Sequence, residues 1–353
     1  MKLSVIIANH NYADFVGAAI SSALAIEWPD KEVIVVDDES TDSSRQVIES
    51  FGDKLAPYFR PKSHQLGAHI FGFDQSTGDV IIFLDADDLL EPKVMQEVAK
   101  VWRPGISKVQ FRMNLINRAG TQLGFAIPQF PRKDDPKRLR RSFLRTMAYT
   151  TPPGTGNAYS RRFVRDVFAL APSIPQSDAV LLTLAPILGD VLTIRRPLAR
   201  YRSHDASYSA MRLLDASKFR ERLQQDVAKS RLFAAVSQQL QLSVPHDPLR
   251  YSLNHLQYRL ASYLVEPSAH PFRDDNMLGL VCRLVASAST SSQMRLRDRG
   301  ILAGWAIACV LAPPGLRRNF VLWRFAPLSR PRAIKMLLGA LSSLRSRRLP
   351  DIA

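Results

Sequence analysis

Three apolar runs, each ending abruptly in polar residues, punctuate the first ninety or so positions. Leu3-Ser4-Val5-Ile6-Ile7-Ala8 gives way to Asn9-His10-Asn11-Tyr12. Glu32-Val33-Ile34-Val35-Val36 gives way to Asp37-Asp38-Glu39-Ser40-Thr41-Asp42, and Val80-Ile81-Ile82-Phe83-Leu84 to Asp85-Ala86-Asp87-Asp88. Runs rich in β-branched residues and lacking alternation predict strands covered on both faces. After the first run, Phe15, Ala18, Ala19, Ser22 and Leu24 recur at helical spacing, with Asp14 placed to cap. Ser40 or Thr41 is placed to cap a second helix running through Ile48. A strand-like stretch over 55–60, a loop over 63–72 and a short helix then lead to the third run. Alternating strands and helices predict a parallel sheet with crossover helices, and hence an α/β fold class. Ligands of such sheets bind beyond the carboxyl ends of the strands, so the two acidic clusters are expected to share one crevice. No G-x-G-x-x-G follows the first strand, which weakens a dinucleotide reading.

Farther along, Val109–Ile116 alternates as a half-exposed strand does. Residues 132–145 carry seven Lys+Arg, either a solvated helix face or a flap near an anionic acceptor. A Gly/Pro-rich stretch, 151–162, reads as a loop running into a helix, and Val191–Ile194 reads as a strand. Beyond Ser209 the pattern turns helical: Leu213–Leu240, Leu249–Val265, Met277–Ser287, the all-apolar Ile301–Ala312, and an amphipathic Ala333–Leu344.

Composition sharpens this picture at two points. The 353 residues carry a net charge of +16, yet residues 1–100 hold 8 Lys+Arg against 17 Asp+Glu, leaving +25 for the remainder. The basic part calls for an anionic partner: a diphosphate, an anionic membrane surface or nucleic acid. The two cysteines, Cys282 and Cys309, form neither a metal spacing nor a disulfide framework, which fits a reducing compartment. No secretory signal and no run of eighteen apolar residues is present, so a cytoplasmic protein without a spanning helix is expected.

Three carboxylates within four residues, Asp85, Asp87 and Asp88, repel one another unless a cation sits among them, and oxygen-only ligands point to Mg2+ or Mn2+. The competing reading is an acidic turn at the start of a helix.

The three strand-end motifs, in this order and spacing, resemble the signature of family 2 glycosyltransferases. The resemblance implies a GT-A fold, Rossmann-like with a mainly parallel sheet and flanking helices. It covers residues 1–208, leaving 209–353 as a helical, basic C-terminal extension for membrane docking or oligomerisation. It also implies inverting transfer of a sugar from a UDP-, GDP- or dTDP-sugar to a hydroxyl of a saccharide or lipid-linked saccharide, as in cell-surface or exopolysaccharide assembly.

Residue by residue, the resemblance assigns Asp38 to the nucleotide base, with Asp37 beside it, and Ala8 and Asn9 to the loop lining the nucleotide. Asp85 and Asp87 match the Asp-X-Asp motif: Asp85 toward the donor, and Asp87 with Asp85 toward the metal. Asp88 is placed to share that task. Gly154 and Gly156 fall in the segment that floors the acceptor and sugar site. Asp178 falls where the family places the base that takes the acceptor proton. Tyr201-Arg202-Ser203-His204 matches the closing motif, with His204 toward the metal and Arg202 toward the diphosphate. Two departures stand out: Ala68-His69-Ile70 replaces Ala-Arg-Asn, and Ser177-Asp178 replaces Glu-Asp.

The rivals are a catalytically inactive nucleotide-binding relative, a nucleic-acid binder using the basic C-terminal region, and a receiver-type signalling module. The last places its acidic pair after the first strand rather than the second. A nucleic-acid partner is not expected, because it leaves both carboxylate clusters without a role.

Overall fold

A computed structural model describes residues 1–131, 135–170, 177–203, 216–291, 294, 296–325, 331 and 336, with main chain alone at residues 177, 178 and 216. Over these residues the chain divides into two compact units, Met1–Ser207 with Asp226–Ser252, and Tyr208–Gln225 with Leu253–Ala353.

The first unit opens with β1 (Leu3–Asn9), α1 (Ala13–Leu24), β2 (Lys31–Asp38), α2 (Ser44–Glu49), β3 (Ala56–Arg60), α3 (His64–Gln75) and β4 (Val80–Asp85). It continues with β5 (Leu89–Leu90), α4 (Val94–Val101), β6 (Ile106–Ile116), β7 (Gln122–Ile127), α5 (Pro136–Thr146), β8 (Asn157–Ser160), α6 (Arg161–Leu170), α7 (Ser177–Leu188) and β9 (Asp190–Arg202). The strands form one mixed sheet in the order β3-β2-β1-β4-β8-β6-β9-β5, with β7 hairpinned onto β6. β1 to β4 pair parallel, as the sequence pattern predicts. β8 then inserts antiparallel between β4 and β6.

The unbroken apolar runs are explained by burial on both faces. Val5 and Ile7 of β1 pack toward Val16 and Ile20 of α1, while Ile6, Ile34 and Val36 pack toward Ala68 and Phe73 of α3. Each such side chain contributes roughly 1.5–3 kcal/mol of hydrophobic stabilisation. Gly72 is what lets α3 lie so close: a Cβ there would come within 2.5 Å of Ile6 Cγ2.

Several expectations are corrected. Neither Ser40 nor Thr41 caps α2, and Asp14 does not cap α1. Asp42 serves both helices, its Oδ1 accepting from Ser44 N at 2.9 Å and its Oδ2 from Ala13 N at 3.0 Å. Ser40 is not available for capping because its hydroxyl is held by Asp37. The loop expected over 63–72 is helical from His64. The strand expected at Val109–Ile116 is half-exposed only in its later part, where Arg112 and Asn114 are half-buried; at its start Gln110, and Lys108 before it, are as buried as Val109 and Phe111. The segment from Tyr149 to Asn157 covers that face, with Lys108 and Gln110 bonded to it.

The second unit is helical: the first part of α8 (Ala216–Gln239), then α9 (Leu253–Val265), α10 (Met277–Thr290), α11 (Leu296–Leu311) and α12 (Pro314–Phe325). Leu256, Leu260, Leu280, Leu284 and Leu302 form its core. A buried Asp275 is bonded by Arg259, Arg283 and His270. α11 starts before the expected Ile301. No described helix is long and apolar enough to cross a membrane. The helix expected over 333–344 lies outside the described residues, apart from Met336.

Candidate active site

Parallel pairing brings three strand ends side by side. Asn9 lies opposite Asp37 in the β1–β2 register, and Ala8 lies opposite both Val36 and Asp85. Residues about eighty positions apart thus share one edge of the sheet, because each apolar run stops at the same level.

Within this edge the adjacent Asp37 and Asp38 are bonded quite differently, consistent with side chains that alternate across a strand. Asp37 is saturated. Its Oδ2 accepts from Asn9 Nδ2 at 2.7 Å and Ser40 Oγ at 2.6 Å, and its Oδ1 from Ser40 N at 2.9 Å. Among the described residues Asp38 is held through Oδ1 alone, by Ser63 N at 2.6 Å and Ser63 Oγ at 2.8 Å, at the start of α3. Asn9 is buried, and its Oδ1 has no hydrogen-bond partner among the described residues. Asn11, with φ of 58°, turns the loop so that its Oδ1 accepts from Thr41 N at 2.7 Å.

At the end of β4, Asp85 N donates to Thr155 Oγ1 at 3.1 Å, and Gln65 Nε2 donates to Asp85 Oδ1 at 3.2 Å. Asp88 turns inward. It is fully buried, with Oδ1 accepting from Arg202 N at 2.9 Å and Oδ2 without a partner among the described residues. Burial, then the charges of Asp85 and Asp87, raise the Asp88 pKa well above the ordinary carboxyl value. The Tyr12 hydroxyl pKa is likewise raised, by burial and then by Asp87, Asp85 and Asp88, which puts this ring in the field of the acidic turn.

Arg202 lies at the end of β9, expected from sequence to face a diphosphate. Its guanidinium donates to the carbonyls of Asp87 at 2.7 Å, Arg118 at 2.7 Å and Asn117 at 3.3 Å. Gly154 and Gly156 bound a short 3-10 turn carrying the buried Thr155. A Cβ on Gly156 would come within 2.5 Å of Pro152 Cβ, so the turn demands glycine there. The departure at Ala68-His69-Ile70 lies within α3, where His69 is buried with its ring 4.5 Å from that of Phe83. Burial depresses the His69 pKa to about 3, leaving a neutral ring.

Asp178 lies in the first turn of α7, but its side chain is outside the described residues, and so is His204. Among the described residues no three His, Cys, Asp or Glu groups form a ready ligand set for a metal. The edge still fits a hard cation of the Mg2+ type. Such ions take one or two carboxylates and complete their shell with phosphate oxygens and water. Asp85 and Asp87 stand beside a third carboxyl, Asp88, buried with its Oδ2 without a partner among the described residues. Thr155, Ser63, Ser40, Tyr12 and Gln65 were not expected as site residues. Thr155 lies inside the Gly/Pro-rich loop and Ser40 inside the second motif; Ser63 and Gln65 carry no local signal.

Residues 4–168 match the sequence profile described as Glycosyl transferase family 2. An uncharacterized glycosyltransferase of Nostoc sp. is 36% identical over 215 residues, spanning 59% of this chain and 66% of that protein. The matched stretch is shorter still in an uncharacterized glycosyltransferase homolog of Mycoplasma pneumoniae, 34% identical over 29% of this chain and 36% of that protein. Among solved structures, S. aureus TarS 1–349 in complex with UDP-GlcNAc superposes with a TM-score of 0.54 at 14% identity, covering 92% of this chain and 91% of that one. The likeness to that structure is one of fold, a curled, mostly parallel sheet with flanking helices of the GT-A type. Through residues 4–168 this chain belongs to glycosyl transferase family 2.

Proposed function

We propose that the chain transfers a sugar, with inversion, from a nucleotide-diphosphate donor to a hydroxyl of a saccharide or lipid-linked saccharide. One observation carries this reading: Asn9, Asp37 with Asp38, and Asp85 with Asp87 end three adjacent parallel strands at one edge. Asp38, held among the described residues through one oxygen, is the group offered to the nucleotide base. Asp37 fixes the loop around it.

Asp87 and Asp85 would hold Mg2+ or Mn2+, with His204 as a further ligand. When bound, such an ion supplies Lewis-acid stabilisation of the leaving diphosphate. Asp178 takes the proton of the acceptor hydroxyl as its oxygen attacks the anomeric carbon and the bond to the diphosphate breaks. The Gly154–Gly156 turn floors the acceptor side. One carboxylate suffices for this, since inversion forms no covalent enzyme intermediate.

The same reading puts the protein in the cytoplasm, peripheral on the inner face of the membrane. Exposed Leu296, Ile307 and Leu311 on α11, with exposed Arg297 in its first turn and Arg318 on α12, support docking on anionic lipid. Co-sedimentation with anionic but not neutral vesicles is the expected result; indifference to both would remove the membrane from the reading.

The deciding experiment is calorimetric binding of UDP, GDP, dTDP and CDP, each with Mn2+ and with EDTA. Metal-dependent binding of one nucleotide, lost in Asp87→Ala, is expected. Folded protein that binds none of them would favour the nucleic-acid reading. Binding without transfer to any hydroxyl would favour an inactive relative.

A further inference from the structure

We propose that Lys108 is a positioning residue for the donor site, acting through Asn157 and Thr155 on Asp85. The inference rests on the donor-site reading above. Lys108 projects from β6 and is wholly buried, yet it makes no ion pair among the described residues. Its Nζ instead donates to Thr151 Oγ1 and to Asn157 Oδ1, both at 2.8 Å, and lies 4.9 Å from the centre of the Tyr149 ring. Burying an amine without a counter-charge is costly, and here desolvation drives its pKa well below the ordinary lysine value. An apolar side chain of the same length would fill this place in β6 at lower cost. What the amine adds is two directed bonds to one loop.

That loop leads to the acidic edge in two further steps. Asn157 stands opposite Gln110, the next residue on the same face of β6, which puts it within diagonal reach of Lys108. With its Oδ1 taken by Lys108, Asn157 is locked in one amide orientation, and its Nδ2 donates to Pro153 O at 2.8 Å and Gly154 O at 3.0 Å. These bonds staple the Gly154–Gly156 turn. Thr155, inside that turn, accepts from Asp85 N at 3.1 Å, with its hydroxyl 3.4 Å from Asp85 Oδ2. A side chain that supports a ligating carboxylate in this way typically changes metal affinity roughly 10-fold to 100-fold when removed.

The test uses Lys108→Met, Thr155→Val, their double variant and Asn157→Asp in the full chain. Two readouts are taken: hydrogen exchange over residues 84–88, which contain the Asp85 amide, and Mn2+-dependent nucleotide affinity. Lys108→Met is expected to speed exchange over 84–88 while β1 to β3 keep their protection, and to weaken nucleotide affinity roughly 10-fold. The double variant should be no weaker than the worse single one, because both act on one chain of contacts. Asn157→Asp keeps an acceptor for Lys108 but loses the donors to Pro153 and Gly154, so it should reproduce the loss. It also decides the matter if Lys108→Met does not fold.

Unchanged exchange over 84–88, nucleotide affinity within about twofold of wild type, or multiplying losses in the double variant would each overturn the proposal. If wild-type protein binds no nucleotide, the donor-site reading falls on its own, and the exchange readout still decides the role of Lys108.

Discussion

Arg202 holds the acidic turn from two directions: its backbone N–H donates to Asp88 Oδ1 at 2.9 Å, and its Nε donates to the Asp87 carbonyl at 2.7 Å. The guanidinium also reaches the carbonyls of Asn117 and Arg118, so one side chain ties β9, the β4–β5 turn and the β6–β7 turn together. Arg202→Met should therefore lower unfolding free energy by about 2–4 kcal/mol, from loss of charge-assisted bonds and exposure of buried carbonyls. Urea denaturation measures this. A variant of wild-type stability that has lost only nucleotide affinity would mean the side chain serves the diphosphate instead.

Asp37 and Asp38 should respond oppositely to the same change. Asp37→Asn turns an amide donor toward either Asn9 Nδ2 and Ser40 Oγ or Ser40 N, costing about 1–3 kcal/mol of stability. Asp38→Asn keeps an oxygen for Ser63 N, so stability should stay within about 1 kcal/mol while nucleotide affinity falls roughly tenfold. Paired denaturation and calorimetry distinguish the two, and reversed phenotypes would exchange their roles.

Asp178→Asn should reduce transfer by roughly 10²- to 10⁴-fold and leave nucleotide affinity within about twofold. Transfer assayed by release of the nucleoside diphosphate in the presence of acceptor reads this directly. Retained transfer would move the base elsewhere.

Glu32 joins β1, β2 and the turn before β4, accepting from Ser4 Oγ and Thr77 N, both at 2.6 Å, and pairing with Lys2 Nζ at 3.0 Å. Burial pushes its pKa up, but these bonds outweigh burial and hold it at about 2. A carboxyl depressed in the folded state stabilises fully above its unfolded value of about 4.3 and loses that contribution as pH falls toward the folded value. Glu32→Gln should cost about 1–3 kcal/mol at pH 7. The gap to wild type should narrow below about pH 4 and close near pH 2. Denaturation across this range checks it, and a gap independent of pH would remove the ionised group from the explanation.

Much of the first ninety residues or so was legible without coordinates. The Val33–Val36 and Val80–Leu84 runs could only be strands covered twice, and their acidic ends had to meet once the strands ran parallel. The helices α8, α9 and α10 were legible as well; α11 starts at Leu296, ahead of the apolar stretch from Ile301, because its charged first turn lacks the apolar pattern, and the mixed stretch that forms α12 carries no clear signal. Less could be read of β6. Gln110, Arg112 and Asn114 alternate with Val109, Phe111 and Met113 as residues of an exposed face do, yet at Gln110, and at Lys108 just before it, the loop ending at Asn157 covers that face. Capping was misread for a related reason: Asp42 reaches Ala13 N, 29 residues back, and local spacing cannot register such a bond.

The sequence by itself determined the buried parallel strands β1, β2 and β4 and several of the helices, and that carboxylates crowd the strand ends. Periods of 2 and 3.6 and abrupt changes of polarity are local properties of the chain. Tertiary structure alone decided that β8 inserts antiparallel beside β4, that Asp88 is buried under Arg202 while Asp38 is held by Ser63, and that a lysine lies beneath the Thr155 loop. Those bonds join residues 25 to 114 positions apart. Their donors and acceptors meet only after sheet order and loop closure are settled by the packing of the whole unit.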